Sequence, residues 1–366
     1  MKSFTKKTIS RVFLSVLFIS MMSFVYAQNV LIVDNNQGAG AQYTSLQTAI
    51  NAASPGDIIY VQPSPDHYGN INITKQLTIY GMGHNPELNA GNYARVLSVT
   101  FDQDTSNSTT SSNSKIAGLD IGTITVKTDN IIIENNKLDA VRTSVTQANN
   151  CIISGNIIEN ANGGKFQLEE AQDWIISNNI INHTLTSGGS GTHIFNNINA
   201  SIIVKNNIIR SRQNGDPNGN ISIFSNANGG QIYNNIFLFT GTGVINFAPS
   251  NLNFQNNLTY SYNSTLSNIP GTNNIDNTDP LLVSFSAGTY YMSSLSNDFH
   301  LQTGSPAIGA GNDGLDLGIY NGGFPFNMRG YPTMLPYLTS FTIYNTNINA
   351  GSSLNINVKA NANITN

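Results

Sequence analysis

The stretch Ile131-Ile132-Ile133-Glu134-Asn135-Asn136-Lys137-Leu138 recurs, in outline, five more times along the chain. Its Asn pair returns as Asn178-Asn179, Asn206-Asn207, Asn234-Asn235 and Asn256-Asn257, and Gly155-Asn156 fills the remaining slot. The second residue of each pair falls at 136, 156, 179, 207, 235 and 257, which gives steps of 20, 23, 28, 28 and 22. A repeat of this length marks an architecture of stacked units. With the second Asn as position zero, −3 holds Ile133, Ile153, Ile176, Val204, Ile232 and Phe254. Position +2 holds Leu138, Ile158, Ile181, Ile209, Phe237 and Thr259, and −5 is also mainly apolar. Apolar residues two apart imply a strand with one buried face. The Asn pair then marks a bend, because Asn tolerates left-handed backbone.

Strand, bend and strand, repeated in parallel, describe the coil of a solenoid. Coils stack at about 4.8 Å, so like Asn side chains can hydrogen-bond from coil to coil. Position −4 is different. It holds Ile132, Ile152, Ile175 and Ile203, and alternation turns it outward. An exposed apolar stripe of this kind calls for a cover, from the C-terminal segment or a long loop, or for a protein partner.

The ends read separately. Residues 1–27 combine Lys2, Lys6, Lys7 and Arg11 with an apolar run from Val12 to Val25 and small residues before Gln28, the pattern of a secretory signal. No later apolar run is long enough to span a membrane, so an exported chain is expected. Thr44-Ser45-Leu46-Gln47 reads as a capping box with Thr44 as N-cap, opening a short helix that shields the first coil. The expected organisation is a signal over 1–27, a β-helix over 28–336, and a C-terminal β segment over 337–366 that forms a hairpin or partial sandwich. The only cysteine, Cys151, falls on an apolar column, so no intrachain disulfide forms. A net charge of −4 and only 10% charged residues argue against a nucleic-acid surface. The surface is instead rich in Asn, Ser, Thr and Gly with Tyr, which suits sugars and equally suits an inert scaffold.

Three segments carry a resemblance. Tyr43–Ile50 with Pro55–Val61 and Leu77–Gly81, the Asn-pair repeats, and the tail Gly304–Gly311 with Asp316-Leu317-Gly318 together resemble right-handed parallel β-helix proteins of the pectin-lyase-like superfamily. The resemblance covers most of residues 30–325. It implies an all-β, right-handed parallel β-helix, and no single activity. Catalytic patterns of its members are missing. Asn277-Thr278-Asp279 stands before Pro280 in a late coil and reads as a turn. No Asp-Asp or His-Gly pair exists, and Lys165 stands where alginate-lyase-like enzymes carry Glu. No metal-ligand motif is present, and calcium, an ion that such enzymes use, is left open without one.

Stacking provides a search independent of family. Position +3 holds Asp139, Glu159, Asn182 and Arg210. If it faces outward, two carboxylates lie about one coil apart, next to Asn182 and near an arginine. Such a pair suits acid–base work or cation binding. Glu159, Arg210 and His183 are the catalytic candidates, and Asp139, Asn182, Arg212 and Trp174 the binding candidates. The column equally reads as a solvated polar row, and Trp174 as core filler rather than a sugar-stacking platform. The functional expectation is an exported, non-catalytic β-helix that binds glycans or serves adhesion. The alternatives are a polysaccharide lyase or hydrolase and a structural scaffold.

Overall fold

A computed structural model describes residues 28–85, 93–144, 147–161, 164–185, 193–213, 221–241, 245–247, 251–332, 335–344, 347 and 350–361. The segment read as a signal lies outside them. Ten short parallel strands form one sheet, in chain order from Val30–Val33 to Asn253–Gln255. A second sheet stacks the strands that follow each bend, from Asn70–Ile73 through Lys137–Thr143, Ile157–Ala161, Ile180–Leu185, Ile208–Gln213 and Ile236–Gly241 to Leu258–Ser261. The right-handed parallel β-helix that the resemblance implied is the fold of this chain, with about eight turns.

The register follows the columns. Ile133 pairs with Ile153, Ile153 with Ile176, Ile176 with Val204, and Val204 with Ile232. Positions −5, −3 and +2 fill the bore, where Cys151 and Trp174 are fully buried. Phe166, Phe195 and Phe224 stack face to face inside it, with ring centroids 5.0 and 5.2 Å apart.

The two asparagines of each pair do different work. The first takes the left-handed turn: φ is 53° at Asn135, 55° at Asn178, 56° at Asn206, 58° at Asn234 and 50° at Asn256. Gly155 occupies the same slot at 67°, which glycine reaches without a Cβ penalty. The second points inward and builds a ladder. Oδ1 of Asn207 accepts from the main-chain N–H of Asn179 at 2.9 Å and from its Nδ2 at 3.0 Å. Nδ2 of Asn207 donates to Ile176 O and Lys205 O, and to Oδ1 of Asn235. The same bonds repeat from Asn136 to Asn257. The ladder starts one coil earlier, at Leu119 N–H, and ends one coil later, on Asn274. The pair Asn273-Asn274 escaped the spacing argument because its step is only 17 residues.

Two expectations about the ends are corrected. The helix Leu46–Ala52 is capped by Ser45, not Thr44; the Ser45 side chain accepts from Thr48 N–H. Gln47, freed from a capping box, pairs its side-chain amide with both main-chain groups of Asn72. It thereby blocks the edge of the second sheet, which would otherwise offer free backbone groups. The other correction concerns the cover. Residues 280–332 run back along the outside of the coils as a strap, but not over the −4 isoleucines. Ile152 remains 38% exposed, and Ile132, Ile175 and Ile203 are half-buried. The strap instead covers position +1, where Ile157, Ile180, Ile208, Ile236 and Leu258 pack against Met292, Phe299, Leu317, Ile319 and Phe326. The outward side chains of the bend asparagines hold it: Asn256 donates to Ala310 O, Asn234 exchanges bonds with Asn312, and Asn178 donates to Ile319 O. Past the strap, Tyr337–Ile343 and Ile356–Asn361 pair antiparallel.

This division of labour is measurable. Asn207→Ala leaves the Asn179 N–H without its partner and takes one donor each from Ile176 O and Lys205 O, the latter keeping Asn178 N–H. At about 1–3 kcal/mol for each orphaned group, it is expected to cost roughly 2–4 kcal/mol in denaturant unfolding. Asn206→Gly keeps the turn and is expected to shift stability by less than about 1 kcal/mol.

Candidate functional site

The +3 column forms from Glu159 onward, while the register of the Asp139 strand with the Glu159 strand ends at Leu138 and Ile158. Glu159 pairs in register with Asn182, and Asn182 with Arg210, on the outer face of the second sheet. Its surroundings differ from the expectation. Glu159 is 2% exposed, Asn182 1% and Arg210 0%, because strap residues 289–292 lie across them. Arg210 donates from Nη1 to Thr289 O at 2.8 Å, from Nη2 to Tyr290 O at 2.6 Å, and from Nε to Asn182 Oδ1 at 2.9 Å. Asn182 Nδ2 donates to Glu159 Oε2 and to Tyr290 O. The main-chain N–H of Met292 donates to the same Glu159 oxygen at 2.8 Å. Burial, followed by the neighbouring Arg212, lowers the Arg210 guanidinium to about 10, so it stays cationic at neutral pH. Asn182 bridges Arg210 to Glu159, which compensates charges that a bare aliphatic environment would not tolerate.

The remaining candidates scatter. Arg212 is half-buried and donates to Thr289 O at 3.3 Å, so it joins the strap contact. His183 lies in register with Ser211 on the adjacent strand, one position past the outward column. It is 0% exposed, and neither ring nitrogen has a hydrogen-bond partner. Burial is the first cause that lowers its pKa to about 3, with Lys165 and His193 adding to the effect. Position +4 faces inward, as Phe239 in the same column does from within the core cluster. His183 therefore does not join Glu159 and Arg210. Trp174 is fully enclosed and donates from Nε1 to Ala148 O at 3.0 Å, so it is core and not a sugar platform.

Only the first member of the column, Asp139, remains exposed. Beside it the +1 column runs Arg95, Asp120 and Lys137 in register, with alternating charges, before it turns aliphatic at Ile157. Lys137 Nζ lies 4.0 Å from Glu159 Oε1 and 5.8 Å from the centre of the Tyr291 ring. Burial raises the Asp120 carboxyl, against the pull of Lys137 and Arg95. A cavity of about 280 Å³ opens here between coil and strap, lined by His84, Asn85, Lys137, Tyr291 and Ser293–Leu295. His84 is 2% exposed, its Nε2 has no partner, and its main-chain N–H donates to Arg329 O of the strap. The strap side of this pocket was not legible, since nothing in the repeat says where residues 289–295 return. The aliphatic run at +1 was legible by the same alternation that flagged −4. Among the described residues, no three His, Cys, Asp or Glu side chains group as a metal ion needs, and no helix is long and apolar enough to cross a membrane.

No family model and no curated protein matches this chain. Among solved structures, a crystal structure of pectate lyase Pel9A is similar at 13% identity with a TM-score of 0.41, over 81% of this chain and 97% of that one. The coil architecture rests on the strand register above.

The buried groups make two predictions. His84 is also lowered to about 3, by burial first and Lys137 second. Both histidines are neutral in the fold and take protons once unfolded below about pH 6.5. Their share of stability is therefore whole above that value and is lost progressively as pH falls from about 6.5 toward 3. Chemical unfolding followed across this window should show a shallower decline for His183→Asn. Separately, Arg210→Met removes three hydrogen bonds, among them the shorter of two on Thr289 O and on Tyr290 O, which keep only Arg212 and Asn182, and is expected to cost about 2–4 kcal/mol, with new protease cleavage within 285–292.

Proposed function

We propose that this chain is an exported β-helix that binds glycans without cleaving them. One observation carries the reading: the groups best suited to acid–base chemistry are occupied by the protein itself. A general acid or base must come within hydrogen-bond reach of the substrate. Glu159 instead spends Oε2 on Met292 and Asn182, beneath a strap whose carbonyls also take Arg210. Glycoside hydrolysis by paired carboxylates needs both of them at the sugar, and of Asp139 and Glu159 only Asp139 meets solvent. What stays open is equipment for holding a ligand: the alternating Arg95, Asp120 and Lys137, and the half-exposed ring of Tyr291. Export is part of the proposal through the signal pattern in residues 1–27.

The test is a panel of immobilised and soluble polysaccharides, acidic and neutral, scored for retention and for new unsaturated or reducing ends. Retention without new ends is expected, and Lys137→Ala should weaken it roughly threefold to tenfold, the worth of one polar contact. New ends that vanish in Glu159→Gln would replace this reading with a polysaccharide lyase or hydrolase.

A further inference from the structure

Resting on the glycan-binding reading, we infer that the cavity beside Tyr291 receives the terminal sugar of a neutral glycan, so that the protein recognises chain ends and not chain interiors. The outer face of the second sheet is a track that closes. Along position +1, Arg95 is exposed and Asp120 and Lys137 are half-exposed, but Ile157 on the next coil is fully buried beneath the strap. A chain lying along this column meets strap residues Tyr291 and Met292 and can go no further. Both sides of the stop are pinned. Met292 N–H is bonded to Glu159, and the main chain of His84 is bonded to Arg329.

The space fits one sugar. Its volume, about 280 Å³, lies just under the lower bound of roughly 300 Å³ for pockets that take drug-sized ligands. The Tyr291 ring, 48% exposed, provides an apolar face for a pyranose. Lys137 and Ser293 at the wall provide bonding groups for hydroxyls.

Charge selects a neutral ligand. The column alternates in sign, and Lys137 already lies 4.0 Å from a Glu159 oxygen and over the Tyr291 ring. Asp139, exposed beside it, would repel a polyanion.

Titration calorimetry with unbranched neutral glucan, mannan and xylan oligosaccharides of graded length, each also with its ends chemically blocked, tests this. The expected result is a molar affinity that levels off at short length, binding that counts chain ends and not mass, and a loss on blocking one end. Tyr291→Ala should lower affinity about tenfold while the thermal midpoint holds. Tyr344→Ala, on the exposed hairpin, should change neither. Retention that grows with chain length, survival of binding in Tyr291→Ala, or a preference for polyanions would overturn the chain-end inference and leave glycan binding standing. If no glycan is retained at all, the reading beneath it falls too.

Discussion

A buried amide that bonds to the next amide is what the rest of this molecule depends on. Asparagine has two donors and one carbonyl acceptor, and at position zero all of them are used. Each amide bonds forward to the next coil, and that of Asn207 bonds sideways to two carbonyls as well, one of which also takes the N–H of the preceding coil's bend. Bends are the weak points of a solenoid, because the strand ladder is interrupted there and backbone groups lose their partners. The ladder restores those bonds in register, and register decides every other column. A slip of one residue would exchange bore and surface. The aliphatic core is therefore a consequence of alignment as much as its cause.

The first asparagine of the pair uses the same bend for a second purpose. Its left-handed backbone turns the side chain outward, where Asn178, Asn234 and Asn256 reach the strap. One dipeptide thus specifies both the interior ladder and the line on which the C-terminal segment docks. Gly155 cannot make an outward bond, and at that coil the ring of Phe324 lies where a Cβ would stand, 3.2 Å away. Packing replaces the missing amide. Gly318, at φ 89°, shows the same closeness from the strap side, with Ile236 3.0 Å from where its Cβ would be.

How much of this was legible follows from the range of each interaction. Periodic side chains report on their neighbours in the stack, so the coil, the bore and the row 159/182/210 could be read from spacing alone. Position −4 also pointed outward as alternation required. The identity of the covered column could not be read this way. It depends on the return path of residues 280–332, which have no period and find the coils through scattered contacts such as Ile319 with Asn178. His183 and Trp174 failed for a local reason. Alternation continues through +4, so His183 points into the bore, and a Trp at −5 has no route to a rim. Lys137 was overlooked because it stands alone as a cation at the head of an aliphatic column, where a column average hides it.

The covered column explains its own composition. A strap that lies flat on a sheet presents carbonyls and N–H groups that no strand pairs, since strand bonds run within the sheet plane. Those groups need partners rising from the outer face. Arg210 answers two carbonyls, Asn182 a third bond, and Glu159 one N–H. A donor-rich cation opposite carbonyls and an acceptor opposite an N–H is the assignment that leaves fewest groups unsatisfied. A row of polar residues that resembles an acid–base site by sequence is thus accounted for as the hydrogen-bonding bed of a main chain. Where the strap ends the requirement ends with it, and from Lys137 back to Arg95 the same face is free to meet something other than the protein itself.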